Sequence, residues 1–138
     1  MAQCLNLTKT GEYAIAALSR LALKSTKSRS DPKAVSIQAL AREQNIPPSF
    51  LSKIMAQCVK AGILQSRKGP EGGITLNRPA EEISLLSIIE ACEGNYWRDS
   101  CVFYASRRCD GPDCEVYCPL REKEEDLRAG LDRVTLAA

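Results

Sequence analysis

The run Lys68-Gly69-Pro70-Glu71-Gly72-Gly73 constrains the fold of this chain more than any other. Glycine populates backbone conformations that other residues avoid, and proline fixes its own φ, so such a run reads as a tight turn. A short apolar-bearing segment lies on each side, near Ile63 to Ser66 and Ile74 to Asn77. Two short strands around a glycine-rich turn make a β-hairpin.

What precedes the hairpin is helical. Thr8 to Lys24 carries Tyr13, Ala14, Ala17, Leu18, Leu21 and Ala22 at helical spacing, with Thr8 or Thr10 available as a cap. Lys24 to Ala34 is polar and reads as a loop. Ser36 caps a short helix to about Gln44, with Ile37, Leu40 and Ala41 inward. Asn45-Ile46-Pro47 is a turn. Pro48 suits the first turn of the next helix, where its missing N–H costs nothing. That helix runs to about Ala61, buries Leu51, Ile54, Met55, Cys58 and Val59, and stops at Gly62 in the left-handed conformation.

Beyond the hairpin, Ser84 opens a helix to about Glu93, with Gly94 as its stop. Asn95 to about Tyr117 has no period. A last helix, from about Cys118 to Leu136, carries a narrow stripe of Leu120, Leu127, Leu131 and Val134 between charged faces. Such a stripe pairs with another helix, either in a second subunit or in its own domain.

A short helix, a turn, a second helix and a basic hairpin, in that order, define the winged helix-turn-helix plan. The expected fold is therefore mainly α with a small β-hairpin, a winged helix-turn-helix followed by a long C-terminal dimerisation helix. Residues 1–80 form the DNA-binding part, and residues 81–138 the cysteine-bearing loop and dimerisation helix.

Charge divides along the same line. The net charge is +2, but residues 1–79 carry twelve Lys/Arg against four Asp/Glu, and the remainder seven against thirteen. The basic part fits a polyanion, here double-stranded DNA. In this plan the second helix presents its N-terminal residues to base edges in the major groove. Pro48, Ser49, Phe50, Ser52 and Lys53 are the candidates there, with Phe50 equally suited to the core. In the wing, Arg67 and Lys68 sit beside Gly69, Gly72 and Gly73, and Arg67 is placed to enter a minor groove.

Several classes are excluded. No apolar run approaches the roughly 18–20 residues that span a bilayer. Met1 to Leu7 lacks the pattern of a signal peptide, which makes the cytoplasm the expected compartment. An enzyme is not expected. The chain has no histidine, no nucleophile–base pair, and no Gly-Lys-Ser/Thr ending to its glycine run such as a phosphate loop requires.

Cysteine is the compositional exception, at seven residues. Cys101, Cys109, Cys114 and Cys118 fall within eighteen residues, separated by seven, four and three residues. Thiolates are soft ligands for zinc or an iron–sulfur cluster. Structural zinc sites usually show two closely spaced pairs, which are absent, so the irregular spacing favours a cluster, 2Fe–2S or 4Fe–4S, with zinc as the alternative. A metal-free regulator in which Cys101 and Cys109 oxidise to a disulfide is a further alternative, as is a zinc-stapled module that binds protein. Cys58 and Cys92 read as small core residues, and Cys4 lies in the chain start.

Several runs resemble the IscR/NsrR family of bacterial winged-helix regulators. They are Leu7-Thr8-Lys9-Thr10-Gly11-Glu12-Tyr13-Ala14, Ile37-Gln38-Ala39-Leu40-Ala41 with Phe50-Leu51-Ser52-Lys53-Ile54, and Lys60-Ala61-Gly62-Ile63-Leu64 through Gly69-Pro70-Glu71-Gly72-Gly73 to Leu76. The segments Ile83-Ser84, Ile88-Ile89-Glu90-Ala91 and Leu131-Asp132-Arg133-Val134-Thr135-Leu136-Ala137 also match. The resemblance implies a homodimeric repressor or activator whose C-terminal helices form the dimer. Lys9, Gln38, Ser49, Lys53, Arg67 and Lys68 would lie near DNA. It also implies an iron–sulfur cluster on three cysteines, responsive to redox change or nitric oxide. Counting back from Thr135-Leu136 makes those Cys101, Cys109 and Cys114. Counting from Cys118 as the last ligand leaves Cys114 spare. The fourth ligand stays open: Cys118 where the three are Cys101, Cys109 and Cys114, or, from the partner subunit, the residue at Glu12.

Overall fold

The computed structural model describes residues 7–26, 33–94 and 120–137. The elements are α1 (Lys9–Thr26), α2 (Ile37–Gln44), α3 (Pro48–Lys60), β1 (Leu64–Arg67), β2 (Gly73–Leu76), a 3-10 turn (Ala80–Glu82), α4 (Leu85–Glu93) and α5 (Leu120–Arg133). This is the expected mainly helical fold with one small antiparallel sheet.

Local chemistry sets most of the helix ends. Ser36 accepts a hydrogen bond from the Ala39 N–H, and Ser84 accepts one from Ser87, each satisfying a donor that the first helical turn leaves open. Asn45 ends α2 in the left-handed conformation at φ 54°. Pro48 opens α3, and Gly62 follows it at φ 78°. Thr8 does not cap α1 as expected. Its hydroxyl turns away from the helix and donates to Glu93 at 2.8 Å.

One core joins α1 to α4 and the sheet. Leu18, Leu21, Leu40, Leu51, Ile54, Met55, Ile63, Ile74, Ile83 and Ile88 are all sealed from solvent within it. Burying each such side chain contributes roughly 1.5–3 kcal/mol. α1 packs most extensively on α4. The boundary at residue 80 therefore separates a basic from an acidic stretch without separating two cores, since Ile83, Ile88 and Cys92 belong to the same cluster as Leu18.

The hairpin is shifted by one residue from its expected limits. Leu64 pairs with Leu76 and Arg67 with Gly73. Its base is tied down by Asn77, whose backbone N–H reaches Ile63 at 3.0 Å and whose side chain donates to the Gly62 carbonyl at 3.1 Å. A third segment, unforeseen, joins its other edge. Val35 and Ile74 exchange both backbone hydrogen bonds, at 3.0 and 2.9 Å.

The C-terminal helix ends earlier than expected. α5 stops at Arg133, and Thr135 forms an antiparallel bridge to Ser84. Leu85 N–H donates to the Val134 carbonyl, and Leu136 N–H to that of Ile83. Two backbone bonds to the strand-like approach to α4 replace the last expected helical turn, so Val134 and Leu136 lie beyond the helix. α5 packs on α4, where Arg128 reaches Glu90 at 3.1 Å and Asp132 accepts from Ser84 at 3.2 Å. Leu127 and Val134 are exposed.

Candidate nucleic-acid interface

The inner face of α3 is Leu51, Ile54, Met55 and Cys58, all buried. Helical periodicity then turns Ser49, Ser52, Lys53, Ala56, Gln57 and Lys60 outward, and all six are exposed. Pro48 is exposed at the helix start. The Ser52 hydroxyl donates back to the Pro48 carbonyl at 2.9 Å. Ala56, Gln57 and Lys60 extend the face beyond the residues singled out in the sequence. Their signal was the same period that buries Cys58.

Phe50 goes the other way. It is half-buried, and its ring meets that of Tyr13 edge to face, with centroids 5.6 Å apart. Aromatic edges favour a neighbouring π face, so this contact fixes α3 against α1. Of the two roles open to Phe50, the geometry serves packing.

Arg67 ends β1 and Lys68 follows it, both exposed, and the residues 69–71 that form the turn are exposed with them. Gly72 N–H closes the turn onto the Gly69 carbonyl at 2.8 Å. Gly73 is required for a different reason. It lies at φ 148°, and a Cβ there would run into the Val35 carbonyl. The close backbone approach that joins Val35 to the wing thus depends on the missing side chain.

Gln38 is exposed near the start of α2. Lys9 is exposed at the start of α1 and pairs with Glu12 at 2.8 Å. The hydrogen bond from its ammonium to that carboxylate raises the Lys9 pKa above its usual value. Glu12 is thereby engaged within its own helix. Cys101, Cys109, Cys114 and Cys118 lie outside the described residues, as does Cys4. Among the described residues, no group of Cys, Asp or Glu is arranged to hold a metal ion. Nor is any helix among them long and apolar enough to cross a membrane.

An outward polar face on the second helix and a basic wing beside it are the working parts of a DNA-reading winged helix. The model of the Rrf2 family, described as an iron-dependent transcriptional regulator, matches residues 7–138. The chain belongs to the Rrf2 family. Its relatives include a Haemophilus influenzae protein assigned as an HTH-type transcriptional regulator, 30% identical over 134 residues, covering 96% of this chain and 85% of that one. The HTH-type transcriptional regulator IscR of Serratia proteamaculans is 28% identical over 134 residues, covering 96% of this chain and 77% of its own. Among solved structures, T. potens IscR superposes with a TM-score of 0.74 at 27% identity, over 99% of this chain and 87% of that one. This Rrf2-family chain is thus a DNA-binding transcriptional regulator and not an enzyme.

Proposed function

We propose that this regulator reads DNA as a homodimer through α3 and the wing, and that an iron–sulfur cluster held by its cysteine segment sets its affinity for DNA. The observation that carries the DNA-reading part is the joint exposure of Ser49, Lys53 and Gln57 on α3 with Arg67 and Lys68 on the hairpin. Lys53, Arg67 and Lys68 supply phosphate contacts, with Arg67 toward a minor groove, while Ser49 and Gln57 offer hydrogen bonds to base edges. Gln38 and Lys9, exposed at the starts of α2 and α1, would add backbone contacts.

The donor chemistry of Cys101, Cys109, Cys114 and Cys118 supports an iron–sulfur cluster: four soft thiolates within eighteen residues, with no histidine anywhere in the chain. Cys118 offers a fourth thiolate to complete an all-cysteine ligand set, with the exposed Glu12 of the partner subunit as the alternative. When bound, such a cluster supplies a redox- and ligand-sensitive centre. It changes DNA binding only by stabilising one conformation of the dimer over another. The exposed Leu127 on α5 supports a second copy as the partner of that helix.

Two measurements test the proposal. Anaerobically purified protein is expected to show visible absorption with stoichiometric iron and sulfide. Duplexes selected from a random pool are expected to share a palindromic sequence and to bind less tightly after Arg67→Ala. Colourless, iron-free protein would overturn the cluster and favour zinc or a thiol switch. Selection of no duplex would overturn the DNA-reading face.

A further inference from the structure

Two cysteines outside the cluster segment meet inside the core. Cys58, on the inner face of α3, is fully buried, and Cys92, in the last turn of α4, is 8% exposed. Both are free thiols, and their sulfurs lie 3.8 Å apart. Each alone is an ordinary small core residue. Together they put two oxidisable sulfurs between the helix with the DNA-reading face and the helix that leads to the cysteine segment. A disulfide needs about 2.0 Å between sulfurs, so closure asks for roughly 1.8 Å of approach. Cys92 lies in the last turn of α4, two residues before Gly94, which ends the helix at φ 63°.

We propose that Cys58 and Cys92 form a peroxide-sensitive dithiol that closes into a disulfide between α3 and α4. Hydrogen peroxide is a small neutral oxidant, and its approach to the buried pair is from the side of Cys92, the less deeply sealed of the two thiols. The Cys58 thiolate attacks one peroxide oxygen. A sulfur–oxygen bond forms, the oxygen–oxygen bond breaks, and the departing hydroxide leaves as water with the proton that Cys58 released. The Cys92 sulfur then attacks the Cys58 sulfenic acid. The disulfide bond forms, the sulfur–oxygen bond breaks, and the second hydroxide leaves as water with the Cys92 proton. Two thiols lose two electrons and two protons, and one peroxide becomes two waters. The hydrogen bond from Cys92 lowers the Cys58 pKa against the effect of burial, and that shared bond together with burial raises the pKa of Cys92, which supports this order of attack.

Closure draws the C-terminal half of α3 toward α4. Gln57 and Lys60 flank Cys58 on the exposed side of the same helix, so the DNA-reading face tilts with it. The expected result is weaker DNA binding by about tenfold, within the usual range of allosteric coupling. This effect rests on the DNA-reading function proposed above; formation of the bond does not.

The test uses the full-length protein. Trypsin, which does not cut before Pro79, releases Cys58 in residues 54–60 and Cys92 in residues 69–98, each with no other cysteine. After peroxide treatment and alkylation, non-reducing digestion is expected to yield these two peptides joined, two hydrogens lighter than their sum. Recovery of both peptides singly alkylated, or linked to other cysteines, under peroxide that oxidises the rest of the chain would overturn the proposal. In parallel, peroxide is expected to weaken DNA binding about tenfold more in the wild type than in Cys92→Ala, with dithiothreitol reversing the difference. Cys58→Ala serves as the second variant, and both retain the cluster-segment thiols. A disulfide that forms without this extra loss would overturn the regulatory effect. Reduced protein that binds no DNA would overturn the proposed function, while the peptide map still decides the dithiol.

Discussion

Glu93, the last residue of α4, accepts hydrogen bonds from both the backbone N–H and the hydroxyl of Thr8, each at 2.8 Å. The start of α1 is thus capped from a distant part of the chain, by a carboxylate placed where the helix dipole favours negative charge. Gly11 makes room for it, because a Cβ at that position would collide with the Glu93 carboxylate oxygen. The residue that closes α1 is also the last of the helix that leads to the cysteine segment.

Glu93→Ala should lower stability by about 1 kcal/mol, the usual loss for a helix cap. Gly11→Ala alone should also destabilise, since the carboxylate must swing aside. In a Glu93→Ala background the added methyl meets no such obstacle, and the better helix propensity of alanine should return roughly 0.8–1 kcal/mol. Urea denaturation of the four proteins of this cycle checks the coupling. Additive effects would refute the contact.

At the wing, Gly73→Ala is expected to cost more than Gly69→Ala. Both positions have positive φ, but Gly69 faces open space while Gly73 abuts Val35. Strain alone accounts for about 1–3 kcal/mol at either site, and the collision adds to it at Gly73. Thermal unfolding ranks the two. Gly73→Ala should also weaken DNA binding, because the Val35 edge must open.

Lys53→Ala and Arg67→Ala separate affinity from specificity. Each phosphate contact removed should lower the slope of log K against log salt by about 0.9. If Arg67 lies in a minor groove, its loss should also change the preferred sequence at A·T-rich positions, whereas loss of Lys53 should weaken all duplexes alike. Fluorescence anisotropy at several salt concentrations distinguishes them.

Acid should selectively remove one surface cluster. Hydrogen bonds from Lys24 and Arg20 hold the Glu43 pKa below its ordinary 4.5. A carboxylate lowered on folding contributes stability that is complete above its unfolded pKa and is lost as pH falls through the folded value. The difference in denaturation midpoint between wild type and Glu43→Gln should therefore be present near neutral pH and vanish in acid. Because these groups are exposed, the effect should also shrink in high salt.

The features legible in the sequence were those whose cause is local. Ser36 and Ser84 cap helices that begin one residue later, Pro48 opens α3, and the glycine run closes a hairpin, all through neighbours in the chain. The outward face of α3 followed from the same spacing that buries Leu51 and Met55. The features not read were contacts at long separation. Thr8 and Glu93 are 85 residues apart, and nothing around Thr8 marks its hydroxyl for a distant carboxylate rather than its own helix. Val35 falls between what reads as a polar loop and the cap of α2, and Thr135 in what reads as a helix. Each pairs instead with a strand-like partner, at Ile74 and at Ser84. Phe50 was ambiguous because one half-exposed aromatic serves packing or recognition equally well, until Tyr13 is placed beside it.

Val35, bonded to the wing, and Ser36, the cap of α2, are consecutive residues. The hairpin and the first helix of the DNA-reading pair therefore behave as a single caliper. The gap between its jaws is set inside the protein by two backbone hydrogen bonds. On the proposed DNA-reading role, an operator whose grooves are spaced differently is expected to bend or twist to fit, which makes its own stiffness part of what is recognised.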